Sequence, residues 1–157
     1  MIVNIEKNIL FLFFVMATII FVKNNKTNLK KIQMTLIKSI SGIRGTIGGK
    51  VGDNLTPVDA VKFASAYGTF LKNNINKDKL KVVIGRDARI SGPMIHNLVV
   101  NTLIGLGIDV IDLGLSTTPT VEVAVPMEQA DGGIILTASH NPKQWNALKL
   151  LNAKGEF

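Results

Sequence analysis

From residue 56 onward the apolar positions change their period again and again. In "TPVDAVKFASAYGTFLKNN" the residues Val58, Val61, Phe63, Ala64, Tyr67, Phe70 and Leu71 recur at helical spacing. Thr56 has the side chain of an N-cap, and Pro57 stands at the first helical position, where its missing N–H costs nothing. "KLKVVIGRD" is a short Val/Ile run ending in turn residues and predicts a strand. "SGPMIHNLVVNTLIGLG" predicts a second helix, opened by Ser91 and closed at Gly105–Gly107. "IDVIDLG" predicts a strand, "TTPTVEVAVPM" a third capped helix, "GGIILTAS" a strand and "ALKLLN" another. Strands alternating with helices predict the α/β class: a three-layer α/β/α domain around a mostly parallel mixed sheet.

The start of the chain follows a different pattern. An uncharged apolar run from Ile9 to Val22 is followed by a Lys/Asn-rich stretch, Lys23 to Gln33, with the composition of a linker. The run is shorter than the roughly 20 residues of a spanning helix. It has the length of a signal-peptide core, but no small-residue A-x-A site follows it. Three readings stand: a short membrane anchor, an uncleaved signal-like segment, or translated upstream sequence outside the functional protein. Met34 opens "MTLIKSISGIRGTIGG", which reads as the beginning of a domain. The expected division is therefore 1–33, apolar segment plus linker, and 34–157, one α/β domain. Membrane contact is expected only through residues 9–22; without them the protein is expected in the cytoplasm.

At 157 residues the chain can build one domain with a substantial core. It has no cysteine, which excludes disulfides, cysteine-based zinc sites and thiol nucleophiles. The net charge of +7 suggests nucleic acid at first sight, but residues 1–33 carry +4 of it, and the remaining charges are scattered among few aromatics. No basic stripe with stacking aromatics is present, so nucleic-acid binding is not expected.

The predicted strands end in polar or glycine-rich residues: Gly85-Arg86-Asp87, Asp112-Leu113-Gly114 and Thr137-Ala138-Ser139-His140. In open α/β sheets, ligands sit at the carboxyl ends of strands. Ser139 belongs to no Walker loop and no G-x-S-x-G elbow. His140, its neighbour on a chain leaving a strand, points to the other face and is poorly placed to deprotonate it. Two readings of Ser139 remain open: a serine held near backbone donors and cations to carry a phosphoryl group, or an ordinary strand-terminating serine. Arg44, in the glycine-rich "SGIRGTIGG", is a guanidinium on a flexible loop able to grip a carboxylate or phosphate with two bonds, or a solvated turn residue.

Four motifs in order, "SGIRG", "GRDARISG", "TASHNP" and a lysine ten residues after the serine, resemble the first domain of the α-D-phosphohexomutases. This family comprises the phosphoglucomutases, phosphomannomutases and phosphoglucosamine mutases, and the resemblance covers about residues 36–157. It implies that Ser139 carries a phosphoryl group in the resting enzyme and gives it to a hexose phosphate. The bisphosphorylated sugar then turns over and returns the other phosphoryl. It implies further that Arg44 is the active-site arginine, that Lys149 assists proton transfer at the sugar hydroxyl, and that His140 donates near the phosphate. Arg86 and Asn141 are expected beside the phosphate, Arg86 as a supporting cation and Asn141 with Pro142 shaping the loop. Asp87 reads as a loop organiser.

The resemblance also implies Mg²⁺, held by the phosphate on Ser139 and by three aspartates of a D-x-D-x-D loop in a following domain. No such run occurs here; Asp53, Asp59, Asp78, Asp87, Asp109, Asp112 and Asp131 stand apart. A hard cation needs about six oxygen ligands. The expectation is thus a phosphoserine-bearing domain that is inactive without further domains. The contrasting reading is a non-catalytic α/β module, tethered through residues 9–22, that binds phosphosugars or a protein partner.

Overall fold

The computed structural model describes residues 34–157. The expected apolar segment and linker, residues 1–33, lie outside the described residues. Six strands form one sheet: β1 (Ile37–Ser39), β2 (Gly42–Thr46), β3 (Lys81–Arg86), β4 (Asp109–Leu115), β5 (Gly132–Leu136) and β6 (Trp145–Leu151). Among the described residues three helices accompany them: α1 (Pro57–Asn74), α2 (Gly92–Gly105) and α3 (Thr118–Met127).

Helix α1 starts where its sequence says it should. The Thr56 side chain accepts from the Asp59 amide while the Asp59 carboxylate takes the Thr56 amide, and Pro57 fills the first turn. Thr117 caps α3 by accepting from the Thr120 amide. Ser91 precedes α2 but makes no capping bond, contrary to expectation. Its hydroxyl is drawn across to the Asn146 side chain instead.

The sheet order is β1-β2-β6-β5-β3-β4. Strand β3 pairs parallel with β4 and β5, whereas β1–β2, β2–β6 and β5–β6 are antiparallel. The α/β class and the mixed sheet stand as expected, with a smaller parallel share. The reason lies in the connections: α2 and α3 carry the chain across to parallel neighbours, while β5 and β6 are joined by the short loop 137–144, which allows only an antiparallel return. Residues 37–46 also correct an expectation, for the glycine-rich stretch around Arg44 is a hairpin continuing the sheet and not a flexible loop.

Two hydrophobic layers flank the sheet. Ala60, Ala64 and Leu71 of α1 and Ile95, Val99 and Leu103 of α2 cover Val82, Ile84, Ile134, Leu136 and Leu148. On the other face Val121 and Val125 of α3 cover Val83, Ile135 and Leu151. Tyr67 ties α1 to the sheet, its buried hydroxyl donating to the Leu151 carbonyl at 2.7 Å. Burial drives the Tyr67 pKa above its ordinary value. Gly132 makes that reach possible, because a Cβ there would lie 2.0 Å from the hydroxyl.

Candidate functional site

The alternation of β5, buried along its whole length, ends at Leu136. Thr137 and Ala138 remain buried, and the chain then turns at the exposed Ser139 and His140. Ser139 has φ 52°, one of two left-handed residues other than glycine among those described. The Thr137 hydroxyl accepts from the Ser139 amide at 3.0 Å and donates to Asp87 Oδ2 at 2.6 Å. Asn141 closes the turn, its amide and its side chain both donating to the Ala138 carbonyl.

Cross-strand pairing delivers the cations. Lys149 of β6 pairs with Ile135, one rung from the end of β5, and Arg44 of β2 pairs with Ala147. Pairing partners and alternate residues share a face, so Arg44, Ala147 and Lys149 project from the same side of the sheet. A pocket of about 180 Å³ opens there, lined among others by Arg44, Ser139, His140, Asn141 and Lys149. Five of the six residues singled out from sequence thus meet in one place. The sixth, Arg86, does not line the pocket; its guanidinium donates to the Asp87 carbonyl at 3.2 Å.

Arg89, not Arg86, is the arginine that engages the loop carrying Ser139. It pairs with Asp87 and donates to four carbonyls of the 137–144 loop and its exit, those of Ser139, Asn141, Pro142 and Trp145. Its sequence position in "GRDARISG" assigns it no role of its own. The available signal was its place two residues beyond an aspartate at a strand end.

Among the described residues no carboxylate lines the pocket, which presents two cations, an imidazole, an amide and the hydroxyls of Ser41, Thr137 and Ser139. That donor set suits a phosphate ester. It does not suit a magnesium ion: among the described residues no group of three or more His, Asp or Glu side chains could hold a metal. A phosphate on Ser139 would add oxygen ligands, but the described residues do not complete a hard-cation site. A larger groove, about 510 Å³, lies between α1 and β6 and is lined chiefly by apolar side chains such as Phe63, Phe70 and Leu150, with no basic residue. Chemistry, not size, marks the smaller pocket as the candidate. Lys149 also places its ammonium 5.3 Å from the centre of the Phe157 ring.

The pocket lies at the carboxyl end of β5 in an α/β/α sheet, and its donors are of the kind that suit a phosphate ester. The family model for phosphoglucomutase/phosphomannomutase, alpha/beta/alpha domain I, matches residues 36–157, and the chain belongs to that family. It is 42% identical over 113 residues to a phosphoglucomutase/phosphomannomutase of Thermococcus kodakarensis, covering 71% of this chain and 25% of that protein. It is 38% identical over 114 residues to a phosphoglucosamine mutase of Limosilactobacillus fermentum, covering 73% of this chain and 24% of the relative. Among solved structures, a protein of Thermus thermophilus described as a phosphomannomutase superposes with a TM-score of 0.68 at 31% identity, over 78% of this chain and 27% of that one. The chain therefore spans about a quarter of the length of the relatives it matches. Among the described residues no helix is long and apolar enough to cross a membrane.

Proposed function

We propose that residues 34–157 are the phosphoserine domain of a phosphohexomutase, acting in the cytoplasm on hexose 1- and 6-phosphates. Ser139 carries the phosphoryl group. As a sugar hydroxyl attacks, the new O–P bond forms and the bond to Ser139 Oγ breaks, while the proton given up by the sugar hydroxyl is balanced by one returned to Ser139 Oγ, which leaves as a hydroxyl. The bisphosphorylated sugar reorients and returns its other phosphoryl to Ser139, so the net change is the position of one phosphate. Such transfer depends on positioning and charge stabilisation. Arg44 offers a two-pronged grip on phosphate oxygens, Lys149 takes the role of proton relay between the sugar hydroxyl and Ser139 Oγ, and His140 adds a donor at the rim. Magnesium and the contacts that select the sugar are assigned to parts of the enzyme beyond these residues, consistent with the quarter of the relatives' length that the chain spans.

The observation that carries this reading is the convergence of Ser139 with Arg44 and Lys149 from three strands onto one pocket without carboxylates. Intact mass of the purified chain before and after phosphatase treatment tests it. One removable phosphoryl group, mapped to Ser139 and absent from Ser139→Ala, supports the reading. A chain that stays unmodified, even after incubation with a hexose bisphosphate and the later domains of a relative, favours the binding-module reading.

A further inference from the structure

A guanidinium has five N–H donors in a rigid planar fork. In Arg89 each nitrogen is engaged by the protein itself: Nε with Asp87 Oδ2, Nη1 with the carbonyls of Pro142 and Trp145, and Nη2 with those of Ser139 and Asn141, all at 2.7–3.1 Å. Its side chain is only 11% exposed. No donor is left for a substrate phosphate, which separates Arg89 from Arg44. The anchor of the fork is fixed in turn. Asp87 Oδ1 accepts from the Arg89 amide, Oδ2 accepts from Thr137, and Thr137 accepts from the Ser139 amide. The chain at Ser139 is therefore held from both sides, its amide through Thr137 and its carbonyl by Arg89.

We propose that Arg89 is the positioning residue for Ser139: by gathering the four carbonyls it holds the serine in its left-handed conformation at the pocket. The catalytic consequence rests on the phosphoserine reading; the conformational claim does not. A second effect follows from the planar trans peptide, in which C=O and N–H point in opposite directions. No peptide among the described residues is cis. With the Ser139 carbonyl turned onto Arg89, the His140 N–H faces away from the guanidinium and is free to meet a phosphoryl oxygen.

The test uses the full chain, isotope-labelled, as wild type, Arg89→Lys and Arg89→Ala, with Asp87→Asn as the variant that loosens the anchor should Arg89→Ala not fold. Backbone chemical shifts of Ser139 report its φ, and amide exchange of Ser139 and Asn141 reports loop opening. Both variants at position 89 are expected to lose the left-handed signature at Ser139 and to speed that exchange by about 10–100-fold, while exchange in β3 and β5 stays at the wild-type rate. Arg89→Lys is expected not to rescue, because one ammonium cannot reach four separate carbonyls. An unchanged Ser139 signature in Arg89→Ala, or in Asp87→Asn if the former is unfolded, overturns the proposal, as does full rescue by lysine. Neither result bears on whether Ser139 is phosphorylated, which the mass measurement decides separately. In an enzyme completed with a relative's later domains, a fall in kcat with KM for the sugar phosphate unchanged supports positioning. A rise in KM alone overturns it, since that is the mark of a direct phosphate contact.

Discussion

Replacing Gly42 by alanine tests whether the pairing of β2 with β6 is what creates the site. Gly42 has φ +117°, and a Cβ added there would lie 2.8 Å from the Leu148 carbonyl oxygen and 3.1 Å from Lys149 Cγ. The oxygen is part of the β6 backbone and cannot yield without moving the strand. Two terms add: backbone strain of about 1–3 kcal/mol and overpacking of about 1–3 kcal/mol. Together they make about 2–6 kcal/mol, a large share of the roughly 5–15 kcal/mol that stabilises an ordinary domain. Gly107 separates the terms, for its φ is +76° and nothing lies within 4 Å of its absent Cβ. Gly107→Ala should cost only a backbone term, about 1–2 kcal/mol at this left-handed φ. Urea unfolding followed by circular dichroism measures both, and with a slope of about 2 kcal/mol per molar the Gly42→Ala midpoint should fall by about 1–3 M. If Gly42→Ala cost no more than Gly107→Ala, the close approach of β2 to Lys149 would be refuted as the reason for glycine at 42.

Tyr67→Phe removes a hydroxyl bonded to the Leu151 carbonyl and should cost about 1–2 kcal/mol in the same assay, with the slope unchanged. Burial opposes the charge on Asp59, but the hydroxyl and amide of Thr56, the Gly52 amide and Lys62 outweigh it and hold the pKa below the usual carboxylate value. A depressed folded pKa gives stability that is present above the unfolded value, about 3.9, and lost as pH falls through the folded one; Asp59→Asn should accordingly flatten the acid limb of a stability–pH profile. With residues 34–157 joined to the later domains of a relative, Lys149→Met should lower mutase kcat by about 10²–10⁴-fold. Arg44→Lys in the same enzyme should lower kcat/KM by about 10–100-fold, because a point charge does not reproduce a two-pronged grip.

The helices and central strands were legible because each carries its own period and stop signal: the apolar spacing of α1 with Thr56 and Pro57, the Val/Ile run of β3, the glycines after α2. The hairpin of β1 and β2 was not. Its glycines mimic a loop, yet Gly45 is there because a Cβ would sit 3.1 Å from the Leu55 amide, and Gly49, just beyond β2, because one would strike the Asn54 side chain at 2.3 Å. Close approach between distant residues leaves no local pattern. The site divides in the same way. Ser139, His140 and Asn141 are neighbours in sequence at a strand end and could be read together. Lys149 and Arg44 reach them through two antiparallel registers, which no local signal encodes, and only the resemblance assigned their roles. Arg86 and Arg89 show the limit of reading by position: the arginine at the strand end bonds its neighbour's carbonyl, and the one in the following turn holds the loop.

The left-handed backbone at Ser139 sets two demands on one position against each other. A residue with a Cβ in that conformation costs roughly 1–2 kcal/mol, and glycine would relieve it. Glycine has no hydroxyl. Selection for a sturdier domain and selection for phosphoryl transfer therefore pull this codon in opposite directions. A lineage freed from the second demand would be expected to drift towards glycine at 139 while the sheet, the helices and the Arg89 clasp persisted. The residue at this one position would then tell a working descendant of the domain from a retired one.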